Sequence, residues 1–455
     1  MGNNRLSKMS AKLFEPVDVA SLVFFRVVFG LIMLWEVFRY WPRIERYYLL
    51  PKFHFKFFGF SWVKVLPGAG MYYVYALLGI LACLITLGLF YRIAAALYCV
   101  TLSYVFLLDK TYYLNHIYLI CLISFLLILI PSNSSFSLDA LINPKIRSQT
   151  VPIWCVWLFR LQIAIPYFYG GLAKLNPDWF LGEPLRTWLA AFSNTPIIGQ
   201  FFTKEWVVYL FTYGGLSFDL LIVPLLLFRR TRLIAYIGAV MFHLMNSQLF
   251  KIGIFPWMMI PATLIFFPPS WPRQLLARVQ RKEWHLEEEV VSIKEITPLN
   301  RLLTTYFLIL YVPFQLLMPF RQALYPGTSS WTREGYLFSW NMKLNRKEGL
   351  VTFFVTDPDS YKTWEFSLQR SLKLLTTPQY SKMTASPDMI LQFSHHLARL
   401  FKRKGYPNVE VRAHAPVSLN HRSSQLLIDP NVNLAKVNAR LWPPATWIIP
   451  HNELK

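Results

Sequence analysis

Three basic side chains stand in otherwise apolar runs of the chain: His116, Lys174 and His243. An ionisable group is expensive in hydrocarbon, so each marks a functional position by default. Tyr167, Gly170, Gly171 and Lys174 fall at i, i+3, i+4 and i+7, which on a helix puts them on one face. The paired glycines let another backbone or a flat ligand approach that face closely. A partly desolvated lysine amine there is available as a base. The structural alternative is a lysine that snorkels to the headgroups from the end of its helix. His116 and Lys174 are expected at the outer face, and His243 in the outer half of its helix, so three bases would gather at one depth. Arg26, Arg160 and Asp219 lie nearer mid-membrane, where mutual pairing is expected.

The elements that must position these groups are membrane helices. Of 455 residues, 55% are hydrophobic, 17% aromatic and only 15% charged. A soluble domain does not need that much apolar surface. The net charge of +22 fits basic loops facing an anionic leaflet better than it fits nucleic acid. On a criterion of roughly 17 to 25 apolar residues, about nine transmembrane helices are predicted. They cover 17–41, 71–90, 92–108, 114–131, 151–173, 205–228, 232–250, 252–268 and 301–320, the seventh and eighth being separated only by Lys251. Basic residues at Arg5, Lys8 and Lys12, at Arg229, Arg230 and Arg232, and at Arg273, Arg278, Arg281, Lys282 and Lys294 put the N-terminus in the cytoplasm. Loop 41–70 runs against this bias with Arg43, Arg46, Lys52, Lys56 and Lys64. The four cysteines all lie in apolar runs and read as core residues, and no Cys/His cluster suggests a metal.

The chain thus divides into a helical membrane domain, 1–320, and an extramembrane domain, 321–455, of α+β or β-rich type on the outer (periplasmic or lumenal) side. Strand signatures at 349–355 and 409–413 flank a helix predicted over 386–404.

Five patches, in this order, resemble the vitamin K-dependent gamma-glutamyl carboxylase family, whose membrane part is the horizontally transferred transmembrane (HTTM) domain. They are Asn115-His116-Ile117-Tyr118, the run from Ala173-Lys174 to Asp178-Trp179, the run from Phe242 through Asn246-Ser247-Gln248 to Gly253-Ile254-Phe255-Pro256, Ser339-Trp340-Asn341-Met342, and Ile428-Asp429-Pro430-Asn431-Val432. The family oxidises vitamin K hydroquinone with dioxygen to the epoxide. The strongly basic product of that oxidation takes a γ-proton from a peptide glutamate, and the carbanion adds carbon dioxide.

The resemblance implies that Lys174 deprotonates the hydroquinone and that His116 assists proton transfer. It places His243 and Asn246, with Tyr167, Gly170 and Gly171, around the cofactor, and Tyr336, Trp340, Asn341 and Asn345 around the glutamate. The expected partners are membrane lipid, a reduced quinone and a glutamate-containing protein, with no nucleic acid and no metal. Where animal carboxylases have an acid and a histidine, this chain has Asn341 and Asn345, while Lys343, Arg346 and Lys347 remain to pair a carboxylate. A quinol epoxidase without carboxylation, or a transporter or lipid-handling protein on the same scaffold, are the alternatives.

Overall fold

A computed structural model describes residues 12–250, 252–281 and 297–452. The basic residues Arg5, Lys8, Lys251, Lys282 and Lys294 lie outside the described residues. The membrane part contains α1 (Ala20–Tyr40), α2 (Gly70–Leu87), α3 (Tyr91–Leu108), α4 (Asn115–Leu129), α5 (Ile153–Ala173), α6 (Glu205–Leu227), α7 (Arg232–Leu249), α8 (Phe255–Thr263) and α9 (Pro298–Leu317). Two short strands, β1 (Pro16–Asp18) and β2 (Thr150–Pro152), pair antiparallel before α1 and α5.

The expected count of nine spans is not confirmed by length and composition. Among the described residues five helices, α1, α2, α3, α6 and α9, are long and apolar enough to cross a membrane. The helix α4 is apolar but has 15 residues, about 22 Å of rise against a hydrocarbon core of about 30 Å. The apolar stretch of α8, Phe255–Phe266, is shorter still. The helices α5 and α7 reach 21 and 18 residues, but Arg160 and Gln162 in one, and His243, Asn246 and Gln248 in the other, dilute their apolar character. The residues that lower the apolarity of α5 and α7 include those with chemistry to do.

The expected mutual pairing of Arg26, Arg160 and Asp219 does not occur. Arg26, fully buried, donates from Nη1 to the Ser132 carbonyl at 3.1 Å and from Nη2 to the Phe136 carbonyl. Arg160 donates from Nε to the Ile265 carbonyl at 2.9 Å and from Nη2 to that of Phe267 at 3.0 Å. Both arginines satisfy carbonyls where regular helix gives out and no backbone donor remains, so they need no carboxylate. Asp219 is left for another partner.

The C-terminal region has the predicted mixed character. Strands β3 (Lys347–Gly349), β4 (Thr352–Thr356), β5 (Thr363–Phe366), β6 (Glu410–His414), β7 (Pro416–Leu419) and β8 (Gln425–Leu426) form two antiparallel sheets, ordered β5-β4-β6 and β3-β7-β8. In the first, Phe353 lies opposite Phe366 on one side and Ala413 on the other. Alternation puts Phe353, Val355, Val411 and Ala413 on a single buried face. Two helices, α10 (Thr377–Thr384) and α11 (Pro387–Arg403), complete the domain, and α11 lays Ile390, Phe393, Leu397 and Phe401 into the same core.

The loop after α1 joins this core. Phe53 and Phe55 pack with Phe393, their ring centroids 6.1 Å (Phe53 to Phe393) and 4.9 Å (Phe53 to Phe55) apart. Lys56 and Gln392 exchange backbone and side-chain hydrogen bonds of 2.8 and 3.0 Å. The Lys56 ammonium donates to the carbonyls of Val63 at 2.7 Å and Leu108 at 3.0 Å. This loop's lysine therefore serves an internal contact, which explains part of its departure from the charge bias.

Candidate active site

The C-terminal end of α5 carries Tyr167, Gly170 and Gly171, with Lys174 as the capping residue, all on one face as the spacing predicts. Lys174 is buried at 7% exposure and its ammonium pairs with Asp219 of α6, itself 5% exposed. The ammonium also lies 5.2 Å from the Trp179 ring centroid. The snorkelling alternative fails on this point, because the charge turns inward to an acid.

The glycines make that pairing possible. A Cβ on Gly170 would stand 3.3 Å from Asp219 Oδ2, and one on Gly171 would stand 3.1 Å from the Leu220 backbone nitrogen. Of the two expected uses for a small-residue face, close approach of a second helix is the one realised here. A Cβ on Gly170 would also meet the Met342 methyl at 3.0 Å. A residue from the extramembrane loop thus reaches the helix that bears Lys174.

One turn deeper, the Tyr167 hydroxyl lies 2.6 Å from His243 Nε2 and 3.3 Å from Thr263 Oγ1. Thr263 donates its own proton to the Met259 carbonyl at 2.7 Å, so toward Tyr167 it serves as an acceptor. His243 is fully buried, and its other nitrogen, Nδ1, has no hydrogen-bond partner. His116, at the start of α4, is likewise buried with Nε2 unpartnered. The Phe255 ring neighbours both imidazoles, its centroid 6.0 Å from that of His116 and 5.8 Å from that of His243. Gly253, at φ +62°, makes the turn into α8, and a Cβ there would crowd Arg39 Nη2 at 3.2 Å and His116 Nε2 at 3.6 Å. Asn246 is half-buried one turn beyond His243.

Buried polar nitrogens almost always find partners. Two orphans beside one aromatic ring are what a flat ligand with polar groups at its edges would satisfy, so these side chains fit a quinol. Replacing Tyr167 by phenylalanine leaves His243 Nε2 unpartnered as well. Quinol turnover is expected to fall about tenfold, the worth of roughly one hydrogen bond, with the fold retained; a rate equal to that of the parent in a quinol-oxidation assay would remove Tyr167 from the site.

The expected glutamate-binding residues lie on a loop above this centre. The Phe338 amide donates to the Tyr113 hydroxyl at 2.8 Å, Tyr113 donates to Asn115 Oδ1 at 2.8 Å, and Asn115 Nδ2 donates to the Asn341 carbonyl at 2.9 Å. The fully buried Trp340 stacks near Tyr118, with centroids 5.1 Å apart. Two patches more than two hundred residues apart in sequence therefore interlock. The amides themselves serve the loop: Asn341 Nδ2 donates to Gln322 Oε1 at 2.8 Å, while Asn345 accepts from Arg333 at 3.0 Å and donates to Ser330 Oγ at 3.0 Å. Tyr336 lies under the Arg333 guanidinium, 4.2 Å from it.

Sequence reasoning missed Asp219 as the partner of Lys174 and missed Thr263, while Phe255 and Met342 stood in the resembling patches without a role of their own. Asp219 was legible, being the only acid in α6 beyond its first residue, just as Lys174 is the only lysine in its run. Clefts of about 350 and 500 Å³ open elsewhere, the first around Arg46, Lys52 and Lys373, the second around Leu34, Phe38 and Cys83.

The buried lysine–aspartate pair, with the C-terminal domain's Met342 against its helix, is built by both parts of the chain, and both parts have known relatives. Residues 14–271, more than half of the chain, match the HTTM domain family. Residues 300–454 match the vitamin K-dependent gamma-carboxylase lumenal domain. No solved structure matches the chain. With both domains present in this order, the chain belongs to the vitamin K-dependent gamma-carboxylase family.

Proposed function

We propose that this protein is an integral membrane enzyme that oxidises vitamin K hydroquinone with dioxygen to the epoxide and uses that oxidation to carboxylate glutamate side chains of a peptide. The C-terminal domain lies on the periplasmic or lumenal side and the N-terminus in the cytoplasm. The observation that carries this proposal is the buried Lys174–Asp219 pair beside the unpartnered His116 and His243.

Bound there, the hydroquinone and dioxygen supply the strong base that a carbon acid requires, which no side chain offers at neutral pH. The chain's own residues manage the protons. The Lys174–Asp219 pair holds one transferable proton: with the proton on the amine both groups are charged, and with it on the carboxyl both are neutral and the amine is a base. A dry surrounding makes these two states closer in energy than water would, because the ionic one loses its hydration. Lys174 can thus first pass its own proton to Asp219 and then, as the neutral amine, take a hydroxyl proton, which leaves both members of the pair protonated. His116 and His243 each have a ring nitrogen free to hold an oxygen of the ligand, and Tyr167 fixes the orientation of His243 through its hydroxyl. Phe255 and the Met342 methyl exclude water from the same space.

A quinol epoxidase without carboxylation is the alternative, supported by the internal engagement of Asn341 and Asn345. One experiment separates the two. Purified protein in nanodiscs is given vitamin K hydroquinone, dioxygen, labelled bicarbonate and a Glu-containing peptide, and epoxide and fixed label are followed together. Both products are expected; epoxide alone selects the alternative, and neither product rejects both.

A further inference from the structure

One ion pair close to the imidazoles has no part in the proton transfers. Arg39 stands in the last turn of α1, and Glu36 in the turn before it accepts from both Nε and Nη2 of the guanidinium. The two side chains are only 24% and 13% exposed. An arginine at the end of a spanning helix ordinarily reaches for the headgroups, but this one is folded back along its own helix by the carboxylate. Next to the pair, Trp35 of α1 meets Trp257 of α8 edge to face, with ring centroids 6.2 Å apart. The guanidinium is thereby kept beside the turn that leads into α8.

That turn brings Arg39 to His116. A Cβ on Gly253 would lie 3.2 Å from Arg39 Nη2 and 3.6 Å from His116 Nε2, so both nitrogens border the same small space that the glycine leaves free. The imidazole is 8% exposed, and its Nε2 has no hydrogen-bond partner. A guanidinium has five N–H donors in a fixed fork. Glu36 engages Nε and one hydrogen of Nη2, which leaves the second Nη2 hydrogen on the edge of the fork that faces away from the carboxylate. A cation that only donates, an unpartnered ring nitrogen and a gap between them suit one oxygen atom. Such an oxygen accepts from Arg39 and, as a hydroxyl, has a proton left for a hydrogen bond to Nε2. Phe255, its centroid 6.0 Å from that of His116, offers its ring to the flat molecule that would carry this oxygen.

We propose that Arg39 is a cofactor-binding residue that, together with His116 and the space at Gly253, holds one ring oxygen of the quinol. The proposal rests on the enzyme function above and adds to it a cation that takes no part in proton transfer. Lys174 must give up its charge to act as a base. An arginine keeps its proton throughout the neutral range, so its positive charge stays beside the ligand while the ligand's protons leave, and favours their loss.

The test is equilibrium binding under argon, with the full chain in nanodiscs and two ligands. One is vitamin K hydroquinone, and the other is an analogue that lacks one of the two ring oxygens but has the same side chain, so that both enter the lipid alike. The parent protein is expected to prefer the hydroquinone by about tenfold or more, the range for a hydrogen bond to a charged group. Arg39→Gln should cut that preference by about fivefold or more and leave the affinity for the analogue unchanged, which also reports an intact pocket. Arg39→Gln combined with Glu36→Gln removes the carboxylate that the single change leaves unpaired, and should show the same loss. Arg43→Gln makes the same charge change just beyond the end of α1 and should keep the preference.

No preference in the parent overturns the assignment, as does an unchanged preference in the double variant. Equal weakening of both ligands in the double variant also overturns it, because Arg39 would then support the fold without touching the ligand. Epoxide formation by the parent protein is measured separately. Its absence would reject the enzyme function, whereas epoxide without a preference for the second oxygen rejects the role of Arg39 alone.

Discussion

Lys174→Ala is expected to lower vitamin K hydroquinone oxidation by about 10²- to 10⁴-fold, the usual worth of a positioned base. The same change strands Asp219 in a buried position, where breaking one side of a pair destabilises by about 3–5 kcal/mol. Activity and folding losses must therefore be told apart. Lys174→Met combined with Asp219→Leu removes both charges and fills the space with apolar groups of similar size, and such replacements of a buried pair are often neutral or stabilising. The double variant should regain the thermal stability of the parent while staying inactive. Asp219→Asn alone should retain some structure but oxidise quinol slowly, because the amine loses the group that receives its proton. Full epoxide formation by Lys174→Ala would show that the base lies elsewhere.

The chemistry-bearing face of α5 was legible because it depends on one local periodicity and one isolated charge. Tyr167, Gly170, Gly171 and Lys174 needed only helical spacing to share a face. What the glycines do was not fixed by spacing. A small-residue face admits a ligand or a helix, and only tertiary packing sets Asp219 and Leu220 against it. Asp219 itself was misassigned to two arginines, although charge neutralisation applies equally to an acid and a lysine in apolar surroundings. The arginines took carbonyls, a choice that sequence does not display because any chain end or helix end offers such acceptors.

Helix count was the less legible part of the fold. Hydropathy windows treat α5 and α7 as spans because their apolar residues outnumber their polar ones, yet α5 keeps Gln162 fully buried with the Tyr311 hydroxyl donating to it at 2.6 Å. A helix that turns its polar groups toward neighbouring helices need not be apolar enough to be recognised by composition. Conversely, strand alternation in 349–355 and 409–413 was read correctly because β4 and β6 each bury one face. The union of Phe53 and Phe55 with the C-terminal core depends on contacts more than three hundred residues apart in sequence, for which no local pattern exists.

That union predicts the second large effect. Asp109, at the end of α3 and 2% exposed, accepts from His54 Nδ1 at 3.0 Å, from Gln379 Nε2 at 2.9 Å and from the Thr111 amide at 2.9 Å. Gln379 belongs to α10 and also donates to the Phe53 carbonyl at 2.6 Å. One carboxylate thus holds together the end of a membrane helix, the loop after α1 and the outer domain. Asp109→Ala removes an acceptor from three donors, of which only Gln379 keeps another, and should destabilise the protein by about 2–4 kcal/mol. The loss is expected to surface as earlier proteolysis of the C-terminal domain on warming in nanodiscs. The neighbouring Lys110–Asp388 pair is the control, because Asp388 is 46% exposed and an ion pair with one partner in solvent contributes only about 0–1 kcal/mol. Lys110→Ala should therefore melt close to the parent. If Asp109→Ala melts there too, the two domains are joined by their apolar contacts, and Asp109 is dispensable to the coupling that brings Met342 to the helix ending in Lys174.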